Sequence, residues 1–381
     1  MSGSGGAGDG DGLQPGEDIR PPLGLAEAAR LASALYGLPR DLRVRQLNAY
    51  DDRNFHLQVP GEVKPSNFWE HGYVLKVLNS LDSKNPERIE AQNEIMTYLG
   101  SKGITCTLPV QNIYGNYYSL EKINTINKEG SESGHKKYIV RLLTFQPGEI
   151  LHNVPCTSSL LYELGSYVAK INILLKDFQH PGLHNQNGIW MLESVPKVKK
   201  FTFAVQDIQK HSLASDVIEV FEKDIVPIIP NLERGLLHGD CNEQNILVQK
   251  SPTSDDWCVY GIIDWGDCHI SCYVFELAIM ICYMMLQCKL LDPLEAPGHI
   301  LAGYITRRKL PEIEFQLLKK CVCARLCQSL VLGAYSFAQD PSNKYVLTTA
   351  ANGWNLLDKV WNMPEEILYK KWKEIIQTYS K

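Results

Sequence analysis

Short β-forming segments separated by turn residues dominate the first part of the chain. Residues 41–47, 54–59 and 72–78 are rich in β-branched and aromatic side chains and predict the three strands of a meander. The sequence Asn85-Pro86-Glu87 then supplies a helix cap, a proline at the first helical position and an acid in the first turn. It predicts a helix that closes at Gly103.

A second β-rich region, residues 107–145, follows that helix and contains a polar insert at 124–136. Another helix, rich in alanine and leucine, is predicted over residues 26–35. Together these segments predict a small α+β lobe over residues 23–146, in which one inserted helix packs on a five-stranded antiparallel sheet.

From Pro147 onward the apolar positions follow the spacing of α-helices. One β-rich region, residues 236–248 with 257–263, interrupts them. The pattern predicts a larger, mainly helical lobe over residues 147–381, joined to the first lobe by a hinge near residues 145–150. The predicted helices of this lobe cover residues 160–175, 212–226, 273–290, 312–338 and 365–379.

The composition is that of a folded protein with one unusual end. Of the 381 residues, 44% are hydrophobic and 21% are charged, which is sufficient for a core of ordinary size. The formal net charge of −5 and the lack of a basic cluster argue against a nucleic-acid partner. The first twenty residues carry seven glycines, and residues 1–22 are therefore predicted to form a disordered tail.

Cysteine usage and hydropathy predict a cytoplasmic protein without a membrane partner. The eleven cysteines are odd in number and scattered, and the glycine-rich start lacks the basic and apolar regions of a secretory leader. The longest apolar run, residues 277–286, is shorter than the roughly 20 residues that span a bilayer. Five cysteines near His269 or on one predicted helix could suggest zinc, but their spacing favours core packing. They are Cys268, Cys272, Cys321, Cys323 and Cys327.

The strongest chemical signal lies in the β-rich region of the second lobe. There His238-Gly239-Asp240 is followed by Asn245 and, after a hairpin, by Asp264. Phosphoryl transfer needs a carboxylate that orients the nucleophile and oxygen ligands for a metal that bridges the phosphates. Each residue alone could be a turn residue that bonds its own backbone. The whole arrangement, with His238 at the required offset between two apolar strands, favours a catalytic site.

These residues resemble the motifs of a known family, the small-molecule kinases of the aminoglycoside phosphotransferase and choline kinase type. HGDCNEQNIL is similar to its H-x-D-x-x-x-x-N loop, and IIDWGD to its I-D-W/F-x-D segment. The resemblance implies a fold like that of protein kinases, Asp240 and His238 as catalytic residues, and Asn245 with Asp264 as Mg²⁺ ligands. Asp267 matches the second acid of that segment, and Glu276 stands where the family usually has an aspartate; both are expected near the substrate.

In the first lobe, Lys76 in the strand 72–78 is expected to bind the donor phosphates, and Asn54 to contact them from the loop 48–54. The hinge segment around residues 142–146, including Leu142 and Thr144, is expected to bind the nucleotide base through its backbone. The family tends to position the lysine with a helical glutamate, but Gln92 occupies that place. Whether Gln92 or one of the flanking acids, Glu90 and Glu94, positions Lys76 stays open at this point.

The acceptor is expected to be a small cationic alcohol, because acids such as Asp267 and Glu276 attract an ammonium group. Arg325 lies in an apolar helix and needs a carboxylate partner, either Glu276 or the substrate. Strings matching one branch of the family run through both lobes and imply 5-hydroxy-L-lysine as acceptor and GTP as donor, with ATP possible, in a step of lysine degradation. Choline, ethanolamine or an aminoglycoside are alternative acceptors, and an inactive nucleotide-binding scaffold is the alternative from another class.

Overall fold

The computed structural model describes residues 13–61, 68–126, 132–184 and 186–380. The β-rich segments of the first part assemble into one antiparallel sheet with the strand order β1-β2-β3-β6-β4, and β5 pairs with the far part of β6. The strands are β1 (Arg43–Leu47), β2 (Arg53–Gln58), β3 (Tyr73–Val77), β4 (Pro109–Val110), β5 (Ser119–Ile126) and β6 (Glu132–Thr144).

The sheet therefore has six strands where five were predicted. The polar insert at 124–136 does not interrupt the pairing, because Asn124 of β5 still lies opposite His135 of β6. Residues 127–131 of that insert lie outside the described residues. β4 is only two residues long, because Asn112 accepts hydrogen bonds from the backbone of Tyr114 and Asn116 and turns the chain away from the sheet.

Strand register brings three polar side chains to one face of the sheet. Lys76 of β3 lies opposite Asn54 of β2 on one side and opposite Arg141 of β6 on the other. Side chains of directly paired residues point to the same face of a sheet. This face is turned toward the second lobe.

Two helices flank the sheet, α1 (Leu25–Tyr36) and α2 (Pro86–Ser101). The side chain of Asn85 accepts a hydrogen bond from the backbone N–H of Arg88, as the sequence predicted for the helix cap. The apolar side of α2, including Ile95, Met96 and Leu99, belongs to the core of the second lobe. α2 is therefore a bridge between the two lobes.

The second lobe is mainly helical, as predicted. Its helices are α3 (Ser158–Leu174), α4 (Ile208–Val220), α5 (Tyr273–Gln287), α6 (Ala296–Ile305), α7 (Glu312–Gln339), α8 (Ala350–Asn362) and α9 (Glu365–Thr378). Two small sheets hold its loops: β7 (Glu149–Ile150) pairs with β9 (Ile246–Lys250), which pairs with β10 (Trp257–Ile262), and β8 (Arg234–Leu237) pairs with β11 (His269–Cys272).

Residues 13–22 are part of the folded body, so the predicted tail is wrong for that stretch, and residues 1–12 lie outside the described residues. Ile19 is buried, and its carbonyl accepts from the backbone of Ser80 in the first lobe. Arg20 forms an ion pair with Asp340 in the second lobe at 3.0 Å. The segment is held because it finds partners on both lobes, which its glycine content did not reveal.

Apolar helices and cysteines are accounted for by the core. In the described part of the chain, α7 is long and apolar enough to span a membrane, and 78% of its most apolar window is buried inside the protein. All eleven cysteines are free, and all except Cys258 are buried. The expectation that they serve core packing is confirmed, and the cytoplasmic location stays a prediction.

Candidate active site

A cavity of about 640 Å³ separates the two lobes. Its upper wall is the polar face of the sheet and the loop 48–54. Its lower wall is the loop that connects β8 to β9, together with the start of the segment after β10. The cavity thus contains Lys76, Asp240, Asn245 and Asp264, which the sequence predicted to act together.

Asp240 is held in place by three side chains. Its Oδ1 accepts from the guanidinium of Arg325 at 2.8 Å, and its Oδ2 accepts from the amides of Asn242 at 2.8 Å and Asn245 at 2.9 Å. Arg325 is therefore paired with Asp240, and not with Glu276. Because α7 is apolar around Arg325, this ion pair also explains how a buried guanidinium is tolerated there.

His238 was expected to be catalytic, and the structure gives it a different position. Its ring is 1% exposed and lies behind the loop. Nδ1 accepts from the backbone N–H of Asp240 at 3.2 Å, so Nε2 carries the proton and donates to the carbonyl of Ile263 at 2.9 Å. His238 thus links the loop of Asp240 to the strand that leads to Asp264, and it is a positioning residue.

Glu276 was expected to contact the substrate, and this expectation is wrong. Its side chain is fully buried, and its carboxylate accepts from the backbone N–H of His238 at 2.6 Å and of Gly239 at 3.3 Å. Gly239 has φ of 81°, and a Cβ there would lie 2.3 Å from the carbonyl of Asp267. Glu276 therefore stabilises a tight loop from behind. The thiol of Cys241 also lies near His238 and Glu276, but both are already engaged by these bonds.

Asp264 has the geometry of a ligand-binding residue. It is the non-glycine residue with positive φ, 62°, in the described chain, a conformation that costs energy and is common at functional sites. Its Oδ1 lies 2.5 Å from the Nζ of Lys76, which is 4% exposed. Although burial acts to raise it, the pKa of Asp264 is lowered because Lys76 lies beside the carboxylate.

The residues predicted to hold a divalent metal fit that role. The described contacts of Asn245 engage its amide nitrogen, with Asp240, and leave its amide oxygen available. That oxygen and the carboxylate of Asp264 are hard donors of the kind that Mg²⁺ prefers. The chemistry of this donor set suits a hard cation, and no thiol or imidazole is part of it.

None of the three candidates on α2 contacts Lys76. Gln92 donates to the carbonyl of Gly266 at 3.0 Å, Glu90 accepts from the hydroxyl of Tyr118 at 3.0 Å, and Glu94 lies 3.7 Å from His180. Lys76 is instead paired with Asp264. α2 therefore supports the segment that follows Asp264, and supplies no acid to the lysine.

Leu142 and Thr144, the two residues predicted to bind the nucleotide base, are held by β6 in positions that do not suit that role. Leu142 is fully buried in the core of the first lobe and pairs with Val110. The backbone N–H of Thr144 donates to Leu108, and its hydroxyl accepts from the backbone N–H of Leu108. Neither residue lines the cavity. The residues of the predicted hinge, 142–146, that line the cavity are Leu143, Phe145 and Gln146.

The loop 48–54 lines the cavity, as predicted for a phosphate-covering loop. The Oδ1 of Asn54 is buried there without a hydrogen-bond partner, which leaves it free for a ligand. Two acids follow Tyr50: burial raises the pKa of Asp51 to about 7, and it also raises the pKa of Asp52. Arg20 donates to the carbonyl of Ala49 at 3.3 Å and so ties the loop to the N-terminal segment.

The part of the cavity near Asp240 contains an acid that the sequence analysis missed. Glu243 lies three residues after Asp240, and its Oε2 is buried without a partner. Burial raises its pKa to about 7. Asp267 also lines the cavity, and burial raises its pKa as well. Tyr283 and Tyr345 complete this region. Only the position of Glu243 within the motif could have suggested it from sequence.

Comparison with known proteins places this geometry in context. Residues 43–310 match the family described as phosphotransferase enzymes. The chain is 34% identical over 378 residues to a hydroxylysine kinase of Bos taurus, covering 97% of this chain and 98% of that protein. It is 35% identical over 372 residues to one of Xenopus laevis, covering 94% and 96%.

Two solved structures share the fold. A microcompartment-associated aminopropanol kinase superposes with a TM-score of 0.62 at 17% identity and covers 87% of this chain and 96% of that one. An amicoumacin kinase, solved with AMP-PNP and Ca²⁺, also gives a TM-score of 0.62, at 16% identity, and covers 90% and 96%. The two-lobed, kinase-like fold predicted from the sequence is confirmed by these likenesses.

Proposed function

The chain belongs to the phosphotransferase enzyme family, and on that premise we propose that it transfers the γ-phosphate of GTP to the side-chain hydroxyl of 5-hydroxy-L-lysine, in a step of lysine degradation. It is a phosphotransferase with an alcohol as acceptor and a nucleotide as donor. The observation that carries the choice of acceptor is the identity of 31–35% to hydroxylysine kinases along nearly the whole chain.

The chemistry of the cavity supports an amino alcohol. In 5-hydroxylysine the terminal ammonium is on the carbon next to the one that carries the hydroxyl. An acceptor whose hydroxyl lies at Asp240 therefore brings its ammonium close to the same loop. The unpartnered carboxylate oxygen of Glu243 lies on that loop. Asp267, which lines the same cavity, adds a second acid.

The proposed reaction forms one bond between the acceptor oxygen and the γ-phosphorus and breaks the bond from that phosphorus to the β-γ bridging oxygen, which leaves with GDP. Asp240 orients the acceptor hydroxyl and takes its proton. Lys76 neutralises charge on the donor phosphates. Mg²⁺, when held by Asn245 and Asp264, supplies further neutralisation of the triphosphate.

Lys76 and Asp264 are paired with each other in this structure, at 2.5 Å. The proposed roles require both of them to turn toward ligands. Arg325 has a different role, because it keeps one carboxylate oxygen of Asp240 fixed at 2.8 Å while the other faces the amides of its own loop. Arg325 is thus proposed to act through Asp240 and not as the first contact of the substrate.

A panel of acceptors tests the proposal. Purified protein with Mg²⁺ is given 5-hydroxy-L-lysine, lysine, ethanolamine, choline or an aminoglycoside, each with GTP and with ATP, and phosphate transfer is measured. We expect the highest kcat/KM with 5-hydroxylysine and GTP and no transfer to lysine, which lacks the hydroxyl. Preference for another amino alcohol would overturn the acceptor, and preference for ATP would overturn the donor.

A variant of Glu243 tests the acceptor subsite. Glu243→Gln is expected to raise the KM for 5-hydroxylysine about tenfold while leaving the KM for GTP unchanged, since one charged contact is lost. Glu219→Gln, which changes an exposed acid on α4, is the matched control. If Mg·GTP raises the melting temperature but no acceptor is phosphorylated, the protein is a nucleotide-binding scaffold and the proposed activity is wrong.

A further inference from the structure

Arg141 is a buried charge on the wall of the cavity that the roles described above do not use. It lies on β6 directly opposite Lys76, is 1% exposed and lines the cavity. A guanidinium stays charged under physiological conditions, even though burial lowers the pKa of this one. A buried charge without compensation is costly, so its retention needs an explanation.

No carboxylate oxygen of the described residues lies within 4.0 Å of the Arg141 guanidinium. Among the described residues the guanidinium donates one hydrogen bond, to the Oδ1 of Asn93 at 3.4 Å, and finds no partner for its Nε. Two other arginines differ: the partly buried Arg88 is paired with Asp82 at 3.0 Å, and Arg325, which is buried and lines the cavity, is paired with Asp240 at 2.8 Å. The acids of the described chain, such as Asp264, attract Arg141 at longer range.

The helix that faces Arg141 offers amides instead of acids. Gln92 and Asn93 of α2 are both buried. The Oε1 of Gln92 and the Nδ2 of Asn93 are buried without hydrogen-bond partners, like the Nε of Arg141. The cavity wall behind Lys76 is therefore a polar region with unsatisfied groups and an uncompensated positive charge. A bound anion would balance this charge and accept hydrogen bonds from the unpaired N–H groups.

We propose that Arg141 binds the polyphosphate of the donor nucleotide together with Lys76. The planar guanidinium offers a fork of N–H donors that suits phosphate oxygens, while Lys76 acts as a point charge. In this arrangement the lysine needs no acid on α2, because the phosphates themselves balance both cations. The proposal rests on the phosphotransferase function, but it is independent of the acceptor and of the donor base.

Binding calorimetry with Arg141→Gln tests this assignment. The probes are Mg·GDP, Mg·ADP and Mg·pyrophosphate, with guanosine and adenosine as ligands that lack phosphate. We expect the variant to bind the preferred diphosphate and pyrophosphate about 10- to 100-fold more weakly, as for loss of a charged hydrogen bond, and to bind the nucleoside unchanged. Arg141→Lys should recover part of the affinity for the diphosphate.

Unchanged affinity of Arg141→Gln for the diphosphate would overturn the proposal. Equal weakening of the nucleoside and the diphosphate would also overturn it, since Arg141 would then support the lobe and not the phosphates. Because these measurements need no acceptor, a failed acceptor panel does not affect them, and a failed binding test does not refute the proposed acceptor.

Two further variants separate phosphate binding from folding. Arg308→Gln breaks an ion pair between a mostly buried arginine and the exposed Glu233 outside the cavity, and it is expected to lower the melting temperature but not the affinity for Mg·GDP or Mg·ADP. Arg141→Met replaces the unpaired charge with an apolar side chain. We expect it to melt no lower than the parent protein and to lose the affinity for pyrophosphate, whereas a large drop in melting temperature with intact affinity would contradict the proposal.

Discussion

The two walls of the cavity differ in how far they are completed by the protein alone. On the lower wall, the carboxylate of Asp240 receives three side-chain hydrogen bonds, and its loop is held from behind by Glu276 and His238. On the upper wall, Asn54 and Arg141 keep polar atoms without partners. Asp240 is thus oriented without a ligand, although the Oε2 of Glu243 on the same loop has no partner, whereas the upper wall leaves its polar groups for a ligand.

This difference matches what each wall does in the proposed reaction. A proton acceptor must be oriented before the substrate arrives, because misplacement of the reacting groups costs rate. Groups that bind a highly charged donor must instead stay available for it. The pair between Lys76 and Asp264, at 2.5 Å, is the link between the walls, and it is expected to open when the donor binds.

The largest effect is expected when the lower wall loses its base. Asp240→Asn should reduce kcat by about 100-fold or more and leave nucleotide affinity near normal, because an amide cannot take the proton of the hydroxyl. Phosphate transfer and calorimetry measure the two quantities. The exposed Asp216→Asn on α4 is the control, and turnover retained in Asp240→Asn would refute the assignment.

The support behind the lower wall is expected to matter for stability. Glu276→Ala removes the acceptor of the backbone N–H groups of His238 and Gly239 and leaves them buried without a partner. The free energy of unfolding should fall by about 1–3 kcal/mol or more for these groups, and kcat should fall with it. Denaturant unfolding and transfer assays test this. A variant that unfolds like the parent protein would show that Glu276 does not hold the loop.

The pH dependence of stability should report His269, which packs under the same loop. Burial lowers its pKa to about 4, and its Nδ1 donates to the carbonyl of Asp267 at 2.7 Å. Below pH 6.5 the unfolded chain binds a proton at His269 that the folded protein does not bind. The free energy of unfolding therefore falls as the pH falls toward 4. The slope is about 1.4 kcal/mol per pH unit. In His269→Gln, the free energy of unfolding measured at a series of pH values should lack this contribution to the slope. An unchanged slope in the variant would contradict the prediction.

The smallest effect on activity and stability is expected when the N-terminal segment no longer holds the loop 48–54 of the upper wall. Arg20→Ala removes the partly exposed ion pair with Asp340 and the bond to the carbonyl of Ala49. Stability should fall by at most about 1 kcal/mol, and the KM for the nucleotide should rise a few-fold as the loop 48–54 loosens. Arg30→Ala, which breaks an exposed pair within α1, should change neither the KM nor, measurably, the melting temperature. Equal KM values for the two variants would show that Arg20 does not hold the loop 48–54.

The sequence could predict the lower wall because its residues are close along the chain. Asp240 and Asn245 share one loop, and Asp264 follows after a single hairpin, so their spacing alone brings them together. The same closeness predicted that His238 belongs to the site but not what it does there, because the direction of its ring depends on the carbonyl of Ile263.

The upper wall depends on pairing between distant segments. Arg141 lies opposite Lys76 only through the register of β3 and β6, and Leu142, its neighbour in sequence, points into the core. A shift of register by one residue would exchange them. The position of residues 13–22 could not be predicted from the sequence either, because their partners come from both lobes.

The sequence by itself determined that this chain forms two lobes and that Asp240 lies close to Asn245 and Asp264, since periodicity and short spacing are local properties. Only the tertiary structure decided which charges are balanced: Arg325 by Asp240, Lys76 by Asp264, and Arg141 by no nearby acid in the described chain. Charge balance is a sum over neighbours in space, and neighbours in space are chosen by strand register and helix packing.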